Sequence, residues 1–241
     1  MLNTTATLRS IALDQPATIR VFERFHLDYC CGGNQPLGEA CADQKISTEV
    51  VLAELELAAA GATPVKDLTS SSLTEIITEI VNTHHAYVRS ELPRLRAMSE
   101  KVVAKHGSAH AEVLSIDRML GSLAEELLQH LSKEELILFP YIEKLERSVN
   151  SGNALPHACF ASVASPIQAM IYEHESAGEL TRQMRATANG YTTPADACAT
   201  FVGLYVGLDA FERDLHLHIH RENNLLFPRA VEMEKSALAA A

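Results

Sequence analysis

The chain has 241 residues, room for one large domain or two modest ones, and 47% are hydrophobic, enough for a real core. A formal net charge of -11 argues against nucleic acid or an anionic membrane as the main partner. No run approaches the roughly 20 apolar residues of a transmembrane helix, and the start "MLNTTATLRSIALDQP" lacks the basic end and apolar run of a secretory signal. The five cysteines (Cys30, Cys31, Cys41, Cys159 and Cys198) form a poor disulfide framework and point to a reducing cytoplasm.

In chain order the pattern predicts helix nearly throughout. A first helix covers "QPATIRVFERF", a loop follows at "LDYCCGGNQP", and a second helix covers "STEVVLAELELAAA". The stretch "AAAGATPVKDLTSSS", with Gly61, Pro64 and a serine run, reads as a linker that ends a small domain at 1–64. A larger domain, 70–235, then holds four long helices. The first opens with Ser72 and Glu75 in capping-box spacing and runs through "LTEIITEIVNTHHAYVRSELPRL". The second runs from about Ser108 to near Pro140. After the turn-rich "SGNALP", Ser165-Pro166 starts the third, and Thr193-Pro194 starts the fourth, which ends at "LHLHIHRENNLLFP". Four long helices with short to moderate connections predict an all-α four-helix bundle preceded by a small helical N-terminal domain.

Two of these helices share a signature. "HLSKEELILFP" and "HIHRENNLLFP" each place a histidine and a glutamate four residues apart, His130 with Glu134 and His218 with Glu222, with Phe-Pro at the same offset behind them. Four residues is about one helical turn, so each pair shares a face. Leu123, Leu127, Ile137 and Leu138 flank the first pair, and Phe211, Leu215, Leu225 and Leu226 flank the second. Both pairs are thus expected to point inward. The first helix adds His85 on the stripe of Ile77, Val81, Val88 and Leu92, with His84 rotated about 100° away. The third adds His174, in line with Ile167, Met170 and Ile171.

Burying such groups unpaired costs several kcal/mol, so they are normally paired or metal-bound. Pairing each histidine with its own glutamate leaves two further histidines facing them without a role. Four imidazoles and two carboxylates match a two-metal site, each metal taking two histidines and both glutamates bridging. An oxo or hydroxo bridge and an open position fit in the remaining space. This donor set suits iron, with manganese and zinc as alternatives.

The bundle resembles the hemerythrin-like domains. It departs from the oxygen-carrying hemerythrins, which use five histidines, a glutamate and an aspartate, and from the ferritin-like carboxylate proteins with their Glu-x-x-His pairs. Four histidines and two glutamates instead resemble the iron-sulfur cluster repair di-iron proteins (repair of iron centres family). The likeness runs through "LDYCCGG", "HHAYVRSELPRL", "HLSKEELILFP", "YEHESAGEL" and "HIHRENNLLFP". It implies His85, His130, Glu134, His174, His218 and Glu222 as ligands of two iron ions, oxo- or hydroxo-bridged. The offset to "ELP" favours His85 over His84. The resemblance further implies a stress-response function, repair of iron-sulfur proteins damaged by nitric oxide or oxidants through supply of iron. A protein that sequesters nitric oxide or oxygen, and a nitric oxide reductase, share the same ligands. The family also suggests a homodimer, which no feature of this sequence fixes.

The adjacent Cys30 and Cys31 before two glycines are expected in a turn with both sulfurs accessible for iron or thiol transfer, against a plain packed turn. There is no Cys-x-x-Cys zinc spacing, and Cys41 completes no site. Cys159 and Cys198 are expected as small buried apolar residues. His216 and His220 fall on other faces, solvated or behind the ligands, and His26, His84, His106, His110 and His157 have no partner in a matching register. Glu125, Glu126, Glu173 and Glu175 are expected on solvated faces, with support of the ligands as their alternative role.

Overall fold

The computed structural model describes residues 2–60, 68–157 and 159–239. The proposed linker, with Gly61 and Pro64, lies outside the described residues.

The N-terminal unit contains α1 (Leu8–Asp14), a short 3-10 turn at Pro16–Thr18, α2 (Ile19–Phe25), α3 (Leu37–Asp43) and α4 (Thr48–Ala60). Leu8, Ile11, Phe22, Leu37, Val51 and Leu55 form its core. The loop between α2 and α3 carries the two adjacent cysteines. Among the described residues the only β feature is an isolated bridge between Thr7 and Pro36. Among the described residues no helix is long and apolar enough to cross a membrane.

Four long helices follow. Helix α5 (73–106) consists of Leu73–Ile80, a π-helical turn Val81–His85, and Ala86–His106. Helix α6 (112–151) consists of Glu112–Lys133, a π-helical turn Glu134–Leu138, and Phe139–Ser151. Helix α7 is Ala164–Thr187. Helix α8 (199–239) consists of Ala199–Arg221, a π-helical turn Glu222–Leu226, and Phe227–Ala239. The capping box forms as expected: Glu75 N–H donates to Ser72 Oγ at 3.1 Å, and Ser72 N–H to Glu75 Oε2 at 2.8 Å. Each long helix packs against its chain neighbours, and α8 closes the bundle against α5.

Two expected helix ends are corrected. The predicted helices end at Phe139-Pro140 and Phe227-Pro228, yet both continue, to Ser151 and Ala239. The reason is the π-turn. Phe139 N–H donates to Glu134 C=O and Phe227 N–H to Glu222 C=O, each a span of five residues. A proline in an ordinary helix clashes with the carbonyl four residues back and lacks the N–H that would bond it. Directly behind a widened turn that conflict is relieved. The fourth helix also starts later than Thr193-Pro194, at Ala199 with Cys198 as its N-cap.

The re-phased helix tails do a second job, twice. Glu146, six residues past Pro140, accepts from Leu73 N–H (2.7 Å), Thr74 N–H (2.9 Å) and Thr74 Oγ1 (2.7 Å) at the start of α5. Glu234, six past Pro228, accepts from Val163 N–H (3.0 Å) and Ser162 Oγ (2.6 Å) at the start of α7, and from Tyr141 Oη (2.6 Å) on α6. Each hairpin's second helix thereby caps its first, satisfying donors a helix start leaves orphaned.

The bundle interior is layered. One apolar layer contains Ile76, Ile80, Phe139, Ile142, Ile167, Met170, Leu226 and Phe227. The other contains Leu92, Leu95, Ile116, Leu120, Leu127, Ala177, Phe201 and Leu215. On every long helix the inward histidine falls between these two stretches, so the polar residues form a slab inside an apolar sandwich.

Candidate metal centre

His85 closes the π-turn of α5, and His174 lies mid-way along α7. His130 and His218 lie one turn before Glu134 and Glu222, which open the π-turns of α6 and α8. All six are buried. They form two groups able to hold a metal ion, His85–Glu134–His218–Glu222 and His130–Glu134–His174–Glu222, with candidate donor atoms within 4.8 Å of one another in each. Both glutamates belong to both groups. In the first group His85 Nε2 lies 3.1 Å from His218 Nε2, 3.5 Å from Glu134 Oε2 and 3.8 Å from Glu222 Oε1. In the second, His174 Nε2 lies 3.0 Å from His130 Nε2 and 3.1 Å from Glu222 Oε2, and His130 Nε2 lies 3.4 Å from Glu134 Oε1.

The electrostatics call for positive charge at the centre. Both oxygens of Glu134 and Oε2 of Glu222 are buried without a hydrogen-bond donor. Burial opposes charge on His85, yet Glu134 and Glu222 outweigh it and push its pKa up to about 10. His130 is likewise opposed by burial but pushed up to about 9, chiefly by Glu134. Burial, with Glu222 beside it, opposes ionisation of Glu134, but His130 and His85 hold its carboxyl below the usual range. Burial also opposes ionisation of Glu222, and His218 and His174 hold it well below that range. Nitrogen and carboxylate donors with unsatisfied oxygens suit two divalent or trivalent metals.

The outer nitrogens are held too. His85 Nδ1 faces Glu135 Oε1 at 2.7 Å, and Arg89 donates to the same oxygen at 2.8 Å. His130 Nδ1 faces Glu173 Oε2 at 2.9 Å, with Lys133 paired to that carboxylate. His174 Nδ1 faces Asn223 Oδ1 at 2.8 Å. Such contacts fix the tautomer and leave Nε2 free toward a metal. His218 Nδ1 has no partner. Glu173 was one of four glutamates considered for this role, and the other three, Glu125, Glu126 and Glu175, are exposed. Glu135 and Asn223 were missed. Each directly follows a proposed ligand in sequence, a position that helical spacing assigns to another face.

His84 is corrected. It is buried, stacks on His218 with centroids 5.4 Å apart and planes 4° from parallel, and pairs with Asp214 at 2.9 Å. Arg221 approaches its other nitrogen at 2.8 Å. The π-turn causes this, because consecutive residues in a wider turn are separated by less than the α-helical 100°. The same widening leaves Ile137, expected in the core, 49% exposed.

The cysteine turn is less open than expected. Cys30 is buried and Cys31 half-buried. Asp28 Oδ1 accepts from both backbone N–H groups, at 3.1 and 2.9 Å, and from the Cys30 thiol at 3.2 Å. The hydrogen bond with Cys31 and burial push the Cys30 thiol well above its ordinary value. The turn docks on the bundle, where Cys30 belongs to an apolar layer and Cys31 packs against it. Asn224, in the π-turn after Glu222, donates to the carbonyls of Tyr29 (3.1 Å) and Cys30 (3.2 Å). His220, expected on a solvated or supporting face, is buried against Tyr29 with ring centroids 5.2 Å apart, and His216 pairs with Glu23 at 3.1 Å. Cys159 is exposed and Cys198 half-buried, so neither is a buried core residue. His106 and His110, expected without partners, meet Asp196.

Comparison with known proteins follows the same division. The family model "Hemerythrin HHE cation binding domain" matches residues 76–230, and "Domain of Unknown function (DUF542)" matches residues 4–59. The chain is 37% identical over 228 residues to proteins named iron-sulfur cluster repair protein YtfE from Shigella boydii serotype 4, Escherichia coli O17:K52:H18 and Escherichia coli O157:H7. Each alignment covers 94% of this chain and 97% of the relative.

Proposed function

The chain belongs to the iron-sulfur cluster repair family of hemerythrin HHE proteins, and on that premise we propose that it repairs iron-sulfur clusters damaged by nitric oxide or oxidants, supplying iron from a di-iron centre. One iron is assigned to His85 and His218 and the other to His130 and His174, with Glu134 and Glu222 spanning both. The observation that carries this reading is the membership of both glutamates in both metal-capable groups. Iron at such a centre supplies redox chemistry and the metal to be delivered.

The residues suit delivery rather than storage. Two carboxylates and four neutral imidazoles place little negative charge against iron. The outer partners are unequal as well: Glu135 and Glu173 bring charge to His85 and His130, His174 has only an amide, and His218 Nδ1 has nothing. The π-turn 222–226 ties the centre to the cysteine turn through three successive residues. Glu222 faces the cluster, Asn223 orients His174, and Asn224 holds the Tyr29 and Cys30 carbonyls. Cys30 and Cys31 are thereby fixed beside the bundle, where we assign them a thiol role in transfer to the client.

Incubating the iron-loaded protein with a nitrosylated iron-sulfur enzyme tests the proposal. Activity recovered in the client, with an equivalent loss of iron from this protein, is expected. Tight nitric oxide binding without recovery would replace repair by sequestration, and nitrous oxide release would replace it by nitric oxide reduction.

A further inference from the structure

At the opposite pole of the bundle, three helix ends bring together a second set of donors. His106 ends α5, His110 stands in the turn to α6, and Asp196 precedes α8. From His85 to His106 the helix advances roughly 30 Å, so these residues have no part in the central cluster. One donor atom each from His106, His110 and Asp196 lies within a 4.8 Å sphere of mutual distances.

The individual groups are disposed as metal ligands. His110 Nδ1 is held by Glu112 Oε1 at 3.1 Å, which leaves Nε2 toward Asp196, 3.1 Å from both its oxygens. A carboxylate behind a histidine whose other nitrogen faces a second donor is the arrangement that orients metal-binding imidazoles. His106 is 8% exposed, and its Nε2 is buried without a hydrogen-bond partner. An orphaned imidazole nitrogen in a packed layer is unfavourable unless something binds it. Phe201, with ring centroids 5.3 Å from His106 and 5.6 Å from His110, fixes both rings.

We infer that His106, His110 and Asp196 form a second, zinc-type metal site at this pole, with three protein ligands and one position left open. Zinc takes nitrogen and oxygen ligands of this kind, and the smaller donor set separates the site from the six-residue centre. The metal would staple the α5–α6 turn to the start of α8.

The test uses the full-length, iron-loaded protein titrated with zinc chloride against a chromophoric chelator, and with cobalt(II) as an optical probe. One zinc per chain beyond the iron is expected, with iron content unchanged. Asp196→Asn, at an exposed position, and His110→Gln should weaken zinc by more than the upper end of what losing an outer partner does, about 100-fold. Failure to bind zinc beyond the iron, or equal binding by Asp196→Asn, overturns the site. So does extra zinc that survives in Asp196→Asn and disappears in Cys30→Ser/Cys31→Ser.

Discussion

Among the buried carboxylates of the described residues, Glu146, Glu212 and Glu234 accept from backbone, hydroxyl or guanidinium donors, whereas Glu134 has no donor at all. A side chain in that position is held for something other than stability. Glu134→Ala and Glu222→Ala should each deplete both iron positions, while His174→Ala should deplete chiefly one. Iron counted per chain checks this, and full iron in Glu134→Ala would remove the bridging role. Glu173→Gln should weaken iron by about 10- to 100-fold through His130, and the exposed Glu126 should tolerate the same change. His84→Ala should keep its iron, because His84 belongs to neither metal-capable group, while losing stability from the stack on His218 and the pair with Asp214. His130, Glu134, His218 and Glu222 could be read from spacing, because one turn of helix repeats faithfully and the pattern occurs twice, whereas His85 and His174 followed from the apolar stripes of their helices. Glu135 and Asn223 could not, since residues adjacent to a ligand read as belonging to another face. Asp196 lies 86 residues beyond His110, so no motif joins it to His106 and His110.

At the scale of elements, the four helices and their inward faces followed from periodicity, and the π-turns did not. An insertion that widens one turn leaves the apolar stripe nearly intact, so its first trace is local. Here that trace is "EELILFP" and "ENNLLFP", a proline where a helix should stop but continues. Glutamate six residues past each proline is the second trace, since it becomes the cap of the preceding helix. Burial opposes ionisation of Glu146, but hydrogen bonds from Thr74 and Leu73 hold its carboxyl below the usual value. Burial opposes that of Glu234 as well, and Ser162, Tyr141 and Val163 N–H hold it down. A depressed folded pKa contributes stability that is fully present above the unfolded value of about 4.3 and is lost as pH falls through the folded value. Glu146→Gln and Glu234→Gln should therefore each cost about 2 kcal/mol at neutral pH. Their deficit relative to the parent chain should shrink in acid below about pH 4.3. Denaturant unfolding across pH checks both, and a deficit that stays constant into acid would show that the carboxylate charge is not what caps these helices.

At the scale of the whole molecule, the N-terminal unit touches the bundle on the stretch of α8 that carries His218 and Glu222. Its contacts concentrate on one stretch of α8: Arg9 donates to the Asn224 carbonyl at 2.9 Å, Tyr29 packs on His220, and Glu23 pairs with His216. Beside them a cavity of about 950 Å³ separates the two units, lined in part by Arg20, Tyr29, His220 and Arg221. The units are therefore joined through a seam that is polar at Arg9, Glu23 and Asn224 and apolar at Cys30, and it includes the same π-turn that carries Glu222. Its sequence, "ENNLLFP", gives no sign of this, because an asparagine that bonds a distant carbonyl looks like one that faces water. None of the six proposed ligands, and none of Glu135, Glu173, Asn223 and Asp214, comes from the N-terminal unit. A chain lacking residues 1–64 should accordingly load the same iron as the whole protein and yet repair a damaged client much more slowly. Asn224→Ala in the full chain should share the second defect without the first, since it frees the Tyr29 and Cys30 carbonyls while leaving Glu222 and Asn223 in place. Iron content measured beside repair rate separates the two effects. Loss of iron in Asn224→Ala would mean that Asn224 serves the centre itself, and full-rate repair by both forms would leave the cysteine turn as packing alone.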